Sequence, residues 1–161
     1  MKKQKGFSLI ELLIVVAIIL IIAAIAIPNL MRSKMAANES SAVGSLRTIN
    51  TAEVTYSNNY PTVGFSPDLT SLGGAAATCA LATGATSATA CLIDATLATG
   101  TKSGYSFTAT GGGGTPNTTY VSTAAPVTAG VTGQRSFCSD QSGVIYWIAS
   151  GACTTATGTP L

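Results

Sequence analysis

The sequence predicts an α+β protein, with one long N-terminal helix packed on a small antiparallel β-sheet head. An unbroken apolar run, an amphipathic continuation of it and a late set of alternating segments predict this. Residues 7–27 carry only Ser8 and Glu11 among apolar side chains. Behind them, Met35, Ala42, Leu46, Ile49, Ala52, Tyr56 and Tyr60 recur mostly at three- and four-residue spacing, the period of one helix face. From Tyr105 onward, short β-prone stretches alternate apolar and polar residues between turn-forming clusters.

The composition excludes several kinds of function. The 161 residues allow one modest domain, and only 9% of them are charged, against about a quarter in an average soluble protein. A mean hydropathy of +0.44 points to lipid or to packing against further copies. There is no histidine, which removes the commonest general base and the commonest zinc ligand. No nucleophile and base stand together in a recognisable motif, so no enzyme and no cofactor are expected. The formal charge is +2, but Lys2, Lys3 and Lys5 supply three of the eight cations. The remainder has no broad basic face for nucleic acid.

The first element is the apolar helix. At ~1.5 Å per residue, residues 7–27 span roughly 30 Å, one bilayer core. Leu12 to Ile27 contain twelve Leu, Ile or Val residues, which favour insertion by roughly 4 to 7 kcal/mol. A carboxylate at the membrane centre costs about 2.5 to 3.5 kcal/mol, and Glu11 lies near the end, where the cost is lower. The lysines ahead predict a cytoplasmic amino end. A secretory signal peptide fits less well, because the run is too long and Pro28-Asn29-Leu30 follows instead of a small-residue cleavage site.

Residues 5–18, Lys-Gly-Phe-Ser-Leu-Ile-Glu-Leu-Leu-Ile-Val-Val-Ala-Ile, resemble the processing motif of bacterial type IV prepilins and type II secretion pseudopilins. The resemblance is strong over residues 1 to about 60 and loose beyond. It implies a leader, residues 1–6, removed by a prepilin peptidase and methyltransferase that cuts after Gly6 and methylates the new amine on Phe7. It also implies an inner-membrane precursor, an assembly platform in that membrane, and a filament of copies of the same chain outside the cell, or a periplasmic pseudopilus. Glu11 stands four residues after Phe7, and the resemblance implies that its carboxylate neutralises the Phe7 ammonium of an adjacent subunit. Otherwise Glu11 only complements the dipole at its own helix start.

Pro28 ends the pure hydrocarbon stretch and is expected to bend the helix. The apolar helix then covers 7–28 and the amphipathic one 29–57, together a rod of roughly 75 Å. Arg32, Lys34, Glu39, Arg47 and Glu53 fall mostly off the apolar line and read as solvent-facing. The remainder, 58–161, is the head, divided into a loop region 58–103, a sheet 104–149 and a C-terminal segment 150–161.

In residues 66–134, 47 of 69 side chains are Ala, Thr, Ser or Gly, a composition of loops and edge strands rather than pockets. A short helix is expected behind a Ser66 cap with Pro67 at its first position and Gly73 at its end. Another is expected from Ala88 to Thr99. Gly111–Gly114 reads as a hairpin loop, since no lysine and helix follow it as a phosphate cradle requires. Four strands are expected: Tyr105–Thr108, Thr119–Ser122, Arg135–Cys138 and Val144–Ile148, the last two as a hairpin.

The cysteines, Cys79, Cys91, Cys138 and Cys153, all follow the membrane segment, where an even number favours disulfides. Three connectivities are open, and short loops favour Cys79–Cys91 with Cys138–Cys153. A zinc site lacks the spacing, and no metal is expected. Asp140, Gln141 and Ser142 offer a single carboxylate for calcium, so a self-satisfied turn is preferred. Asn38-Glu39-Ser40 and Asn117-Thr118-Thr119 match a glycosylation triplet that is common by chance. The function expected is a structural pilus subunit. A type II secretion pseudopilin is the alternative, and a minor pilin for DNA uptake or adhesion a less favoured one.

Overall fold

A computed structural model describes residues 8–75, 79–80 and 84–161. Helix α1 spans Leu9–Asn59, two residues beyond the expected Ser57, and Pro28 lies within it without ending it. The chain divides into two compact units, one up to Lys34 and one from Met35 to Leu161.

In the first unit, the large apolar side chains from Leu9 to Met31 are between 45% and 76% exposed, so no described residue covers them. This stretch is long and apolar enough to cross a membrane by length and composition.

The second unit is an α+β head. Among the described residues, two short helices, α2 (Leu69–Leu72) and α3 (Ala95–Ala98), precede and flank a six-stranded antiparallel sheet. Its strands are β1 (Thr101–Lys102), β2 (Tyr105–Gly112), β3 (Thr119–Pro126), β4 (Ser136–Asp140), β5 (Ile145–Ile148) and β6 (Thr159–Pro160), arranged in chain order. The four expected strands are present and longer than expected on the first hairpin. Two-residue β1 and β6 add edges, so the C-terminal segment closes the sheet by pairing with Tyr146 and Trp147.

Burial in β2 alternates strictly, with Tyr105, Phe107 and Ala109 inward and Ser106, Thr108 and Thr110 outward. The inward face meets Ala42, Leu46, Ile49, Ala52 and Tyr56 of α1 in one buried cluster, which also takes in Ala124, Phe137 and Ile145. Outside it, the Thr108 and Thr123 hydroxyls bond across the strands at 2.7 Å. The glycine run ends β2 and turns the hairpin, with Gly113 and Gly114 at φ +85° and +123°.

The capping of α2 differs from expectation. Asp68 is the N-cap, its carboxylate accepting from Ser71 N–H at 2.8 Å, while Ser66 is wholly buried and bonded elsewhere. Helix α3 is a single turn capped by Asp94, shorter than Ala88–Thr99 because Ala90 and Leu92 instead donate backbone bonds to Ser71 and Leu72.

Both expected disulfides are present, Cys79–Cys91 across 12 residues and Cys138–Cys153 across 15. Cys138 is on β4, so its bridge anchors the chain that leads to β6. Replacing Cys138 and Cys153 by alanine is expected to lower head stability by about 3 kcal/mol, the loop-entropy value for this length. Chemical denaturation of the purified variant checks this. An early loss of amide protection at Tyr146 and Trp147 should accompany it.

Candidate functional site

The functional residues fall into an exposed apolar helix carrying one acid, and a head whose helix and sheet are fastened by buried polar contacts. Glu11 lies in the first turn of α1 and is exposed, along with the apolar side chains around it. A carboxylate there faces the positive end of the helix dipole. Gly6 and Phe7 lie outside the described residues, so their expected processing roles have no geometry here.

In the head, Glu39 and Glu53 depart from expectation. Both were expected to face solvent, and both are buried on the sheet-facing side of α1. Each is held because it satisfies backbone groups of a loop that would otherwise be orphaned. Glu39 Oε1 accepts from Gln134 N–H at 3.0 Å and Arg135 N–H at 3.2 Å, while Oε2 accepts from Arg135 Nε at 2.8 Å and Nη2 at 2.7 Å. Burial alone would raise this carboxyl. The bonds from Gln134 and Arg135, with the guanidinium charge, outweigh it and hold Glu39 below the usual carboxylate range. Arg135 is fixed further by lying over the rings of Phe137 and Trp147, at 5.6 and 5.4 Å from their centroids.

Asn38 works beside Glu39, its Nδ2 donating to Thr132 O at 2.8 Å. The β3–β4 loop is thereby tied to α1 at consecutive helix residues, and Tyr105 Oη donates to Arg135 O at 2.8 Å from the sheet side. Asn117 of the second glycosylation triplet is similarly used, donating to Phe65 O at 2.9 Å. Gly64, at φ +81°, bridges Asn117 so closely that a Cβ there would strike its backbone. Both triplet asparagines therefore serve as ties within the fold.

Glu53 has no cationic partner among the described residues. Its Oε2 accepts from Ser66 N–H at 2.8 Å and its Oε1 from Ser66 Oγ at 2.6 Å. Burial raises its pKa above the usual carboxylate value, and the Ser66 bonds only partly oppose this. Folding therefore strengthens proton binding at Glu53 relative to the unfolded chain, and the associated stability is lost as pH rises through the raised folded pKa. A glutamine can keep both contacts, accepting from Ser66 N–H and donating to its hydroxyl. Glu53→Gln is expected to raise stability on the order of 1 kcal/mol at pH 8 and to show no gain at pH 4, in paired urea titrations.

Asn50 completes the set, donating to Ser139 Oγ at 2.8 Å and accepting from Tyr120 Oη at 3.1 Å. The β4–β5 loop is a self-satisfied turn, with Ser142 N–H bonded to Asp140 Oδ1 at 2.9 Å. Among the described residues, no group of three or more His, Cys, Asp or Glu is placed to hold a metal.

Residues 1–27 match a family model described as the prokaryotic N-terminal methylation motif. Among curated proteins, a type IV major pilin protein of Myxococcus xanthus is 41% identical over 73 residues, covering 41% of this chain and 33% of that protein. A type IV wide pilus major component of Thermus thermophilus is 58% identical over 40 residues, 25% of this chain and 30% of that protein. A type II secretion system core protein G of Escherichia coli is 36% identical over 63 residues, 37% of this chain and 43% of that protein. The matched stretches therefore span less than half the length of these relatives. No solved structure matches the chain.

Proposed function

We propose, on the support that the methylation motif and the relatives give to the type IV pilin and pseudopilin family, that this chain is the structural subunit of a type IV pilus-like filament. One observation carries the reading. The helix from Leu9 to Met31 exposes its large apolar side chains on every side, a surface that requires lipid before assembly and other helices after it. The head, by contrast, buries its apolar residues against the second half of α1.

The precursor is a membrane-anchored chain with its amino end in the cytoplasm. A prepilin peptidase removes residues 1–6 and methylates Phe7, and an inner-membrane platform extrudes the mature subunit. The new ammonium on Phe7 lies in a region of low dielectric, where an unpaired charge is expensive. Glu11 of a neighbouring copy neutralises it, and the same geometry repeats from one subunit to the next. A repeat of this kind is heterologous and does not close, which yields an open filament.

The pseudopilin reading has a specific observation behind it, the core protein G relatives. Electron microscopy of sheared cell-surface material separates the two readings. The pilus reading expects surface filaments that vanish when the gene is deleted while exoprotein secretion continues. Lost secretion with no change in surface filaments would give the protein to a pseudopilus.

A further inference from the structure

Resting on the reading that the subunit waits in a membrane before assembly, we infer that the loop between β3 and β4 is a lipid contact, laid on the surface of the bilayer that holds the chain. Val127, Thr128, Ala129, Gly130 and Val131 are all exposed in succession, the two valines by 57% and 52%. The other exposed valines of the head, Val54, Val121 and Val144, stand singly. No charged residue lies between Lys102 and Arg135, and these two are paired with Asp94 and Glu39. The loop therefore meets lipid without desolvating an ionic group of its own.

Its backbone is closed in a way that water does not demand. The N–H groups of Val127 and Thr128 donate to Gly104 O and Thr132 Oγ1, at 3.0 and 3.1 Å. Those of Gly130, Val131 and Thr132 donate to Gly133 O, Thr128 O and again Thr128 O, at 2.8, 3.1 and 2.9 Å. In water an exposed loop leaves such amides to the solvent, whereas at a lipid boundary each open one is costly.

The loop also lies at the end of the head where the chain enters it. Strand β4 starts beside Arg135, whose N–H donates to Glu39, and reaches Ser139, whose hydroxyl accepts from Asn50. It therefore runs along α1 from the amino end of the head, and the loop before it sits at that end, with Thr132 O tied to Asn38. The head begins at Met35, and the exposed apolar run ends at Met31. Four residues reach at most about 14 Å, so this end of the head stays near the surface of any bilayer that takes up the run. Arg32 and Lys34, exposed within the link, suit the phosphates of lipid headgroups. The occupant is lipid rather than a second copy, because the same end of the head carries the membrane run and its flanking cations.

The test is methyl NMR of the full-length protein, labelled at its valine and alanine methyl groups, in nanodiscs of phosphatidylethanolamine and phosphatidylglycerol doped with a spin-labelled lipid. Val15 and Val16 report the apolar run, Val127 and Val131 the loop. Val54 and Val144 report the head away from it, Val144 following Gly143, whose carbonyl accepts from Asn50. The spin label is expected to broaden Val127 and Val131 and to spare Val54 and Val144. V127S/V131S should weaken the docking equilibrium on the order of tenfold, read as lost broadening at the Ala129 methyl with Val15 and Val16 still broadened. Sharp Val127 and Val131 beside broadened Val15 and Val16 would overturn the contact, as would equal broadening across the head or an unchanged Ala129 in the double variant. Changes at Val127 and Val131 only when two copies share a disc would overturn it in favour of a second copy. Sharp Val15 and Val16 would instead overturn the membrane-stored reading itself.

Discussion

Replacing Glu11 by alanine is expected to leave the precursor cleaved and inserted in the membrane but to reduce recoverable filament by at least about a hundredfold. The magnitude follows from burying the Phe7 ammonium beside no carboxylate, which costs about 3 to 5 kcal/mol per unpaired charge in a low-dielectric site. Glu11→Gln should fail nearly as badly, because it keeps the shape and removes the charge. If the carboxylate served only the dipole of its own helix, the loss would be about 0.3 to 1 kcal/mol and filaments would persist. The measurement is quantitative immunoblotting of sheared filaments against membrane-bound mature subunit. Normal filament yield with either variant would end the pairing account.

The second large effect is in the head. Glu39→Ala strands Gln134 N–H and Arg135 N–H and removes the only carboxylate facing the Arg135 guanidinium among the described residues. Orphaned donors of this kind are worth on the order of 3 kcal/mol together, and Arg135 adds less because its side chain is partly exposed. Glu39→Gln keeps an acceptor for the two amides and should lose only about 1 kcal/mol. The pH dependence has a definite sign. Glu39 has a lowered folded pKa, so its stabilisation is complete above the ordinary glutamate value and is lost as pH falls through the folded one. Denaturation of detergent-solubilised full-length protein below pH 4.5 should therefore be shallower in the alanine variant than in the wild type. Identical acid branches would contradict the clamp.

The apolar helix was readable because its pattern does not depend on context: a membrane-length run of Leu, Ile and Val means burial in something. The sheet-facing line Ala42, Leu46, Ile49, Ala52 and Tyr56 was readable for the same reason, and the structure buries all of it. Glu39 and Glu53 were not. A glutamate on a helix reads as solvated unless the loop that needs its oxygens is known, and those loops lie 13 to 96 residues away. Ser66 looked like a cap because Pro67 follows it, but a buried carboxylate outcompeted the helix end for its hydroxyl and amide. Strands β1 and β6 carry no period at two residues each, and they exist because neighbouring strands offer an edge. For the disulfides, short loops only favoured one of three open connectivities, and that is the pairing the structure has.

Placement of Glu11 needed the motif more than the physics. An acid in the first turn of an apolar helix signals a charge to be matched, but the partner proposed for it is an amine that processing would create. The central claim is therefore that this chain, shortened by residues 1–6, polymerises through that helix. Intact-mass and N-terminal sequencing of purified surface filaments test it most directly. The account predicts a subunit that begins at a methylated Phe7 and retains both disulfides. Filaments lacking this chain, or containing it with residues 1–6 still attached, would contradict it.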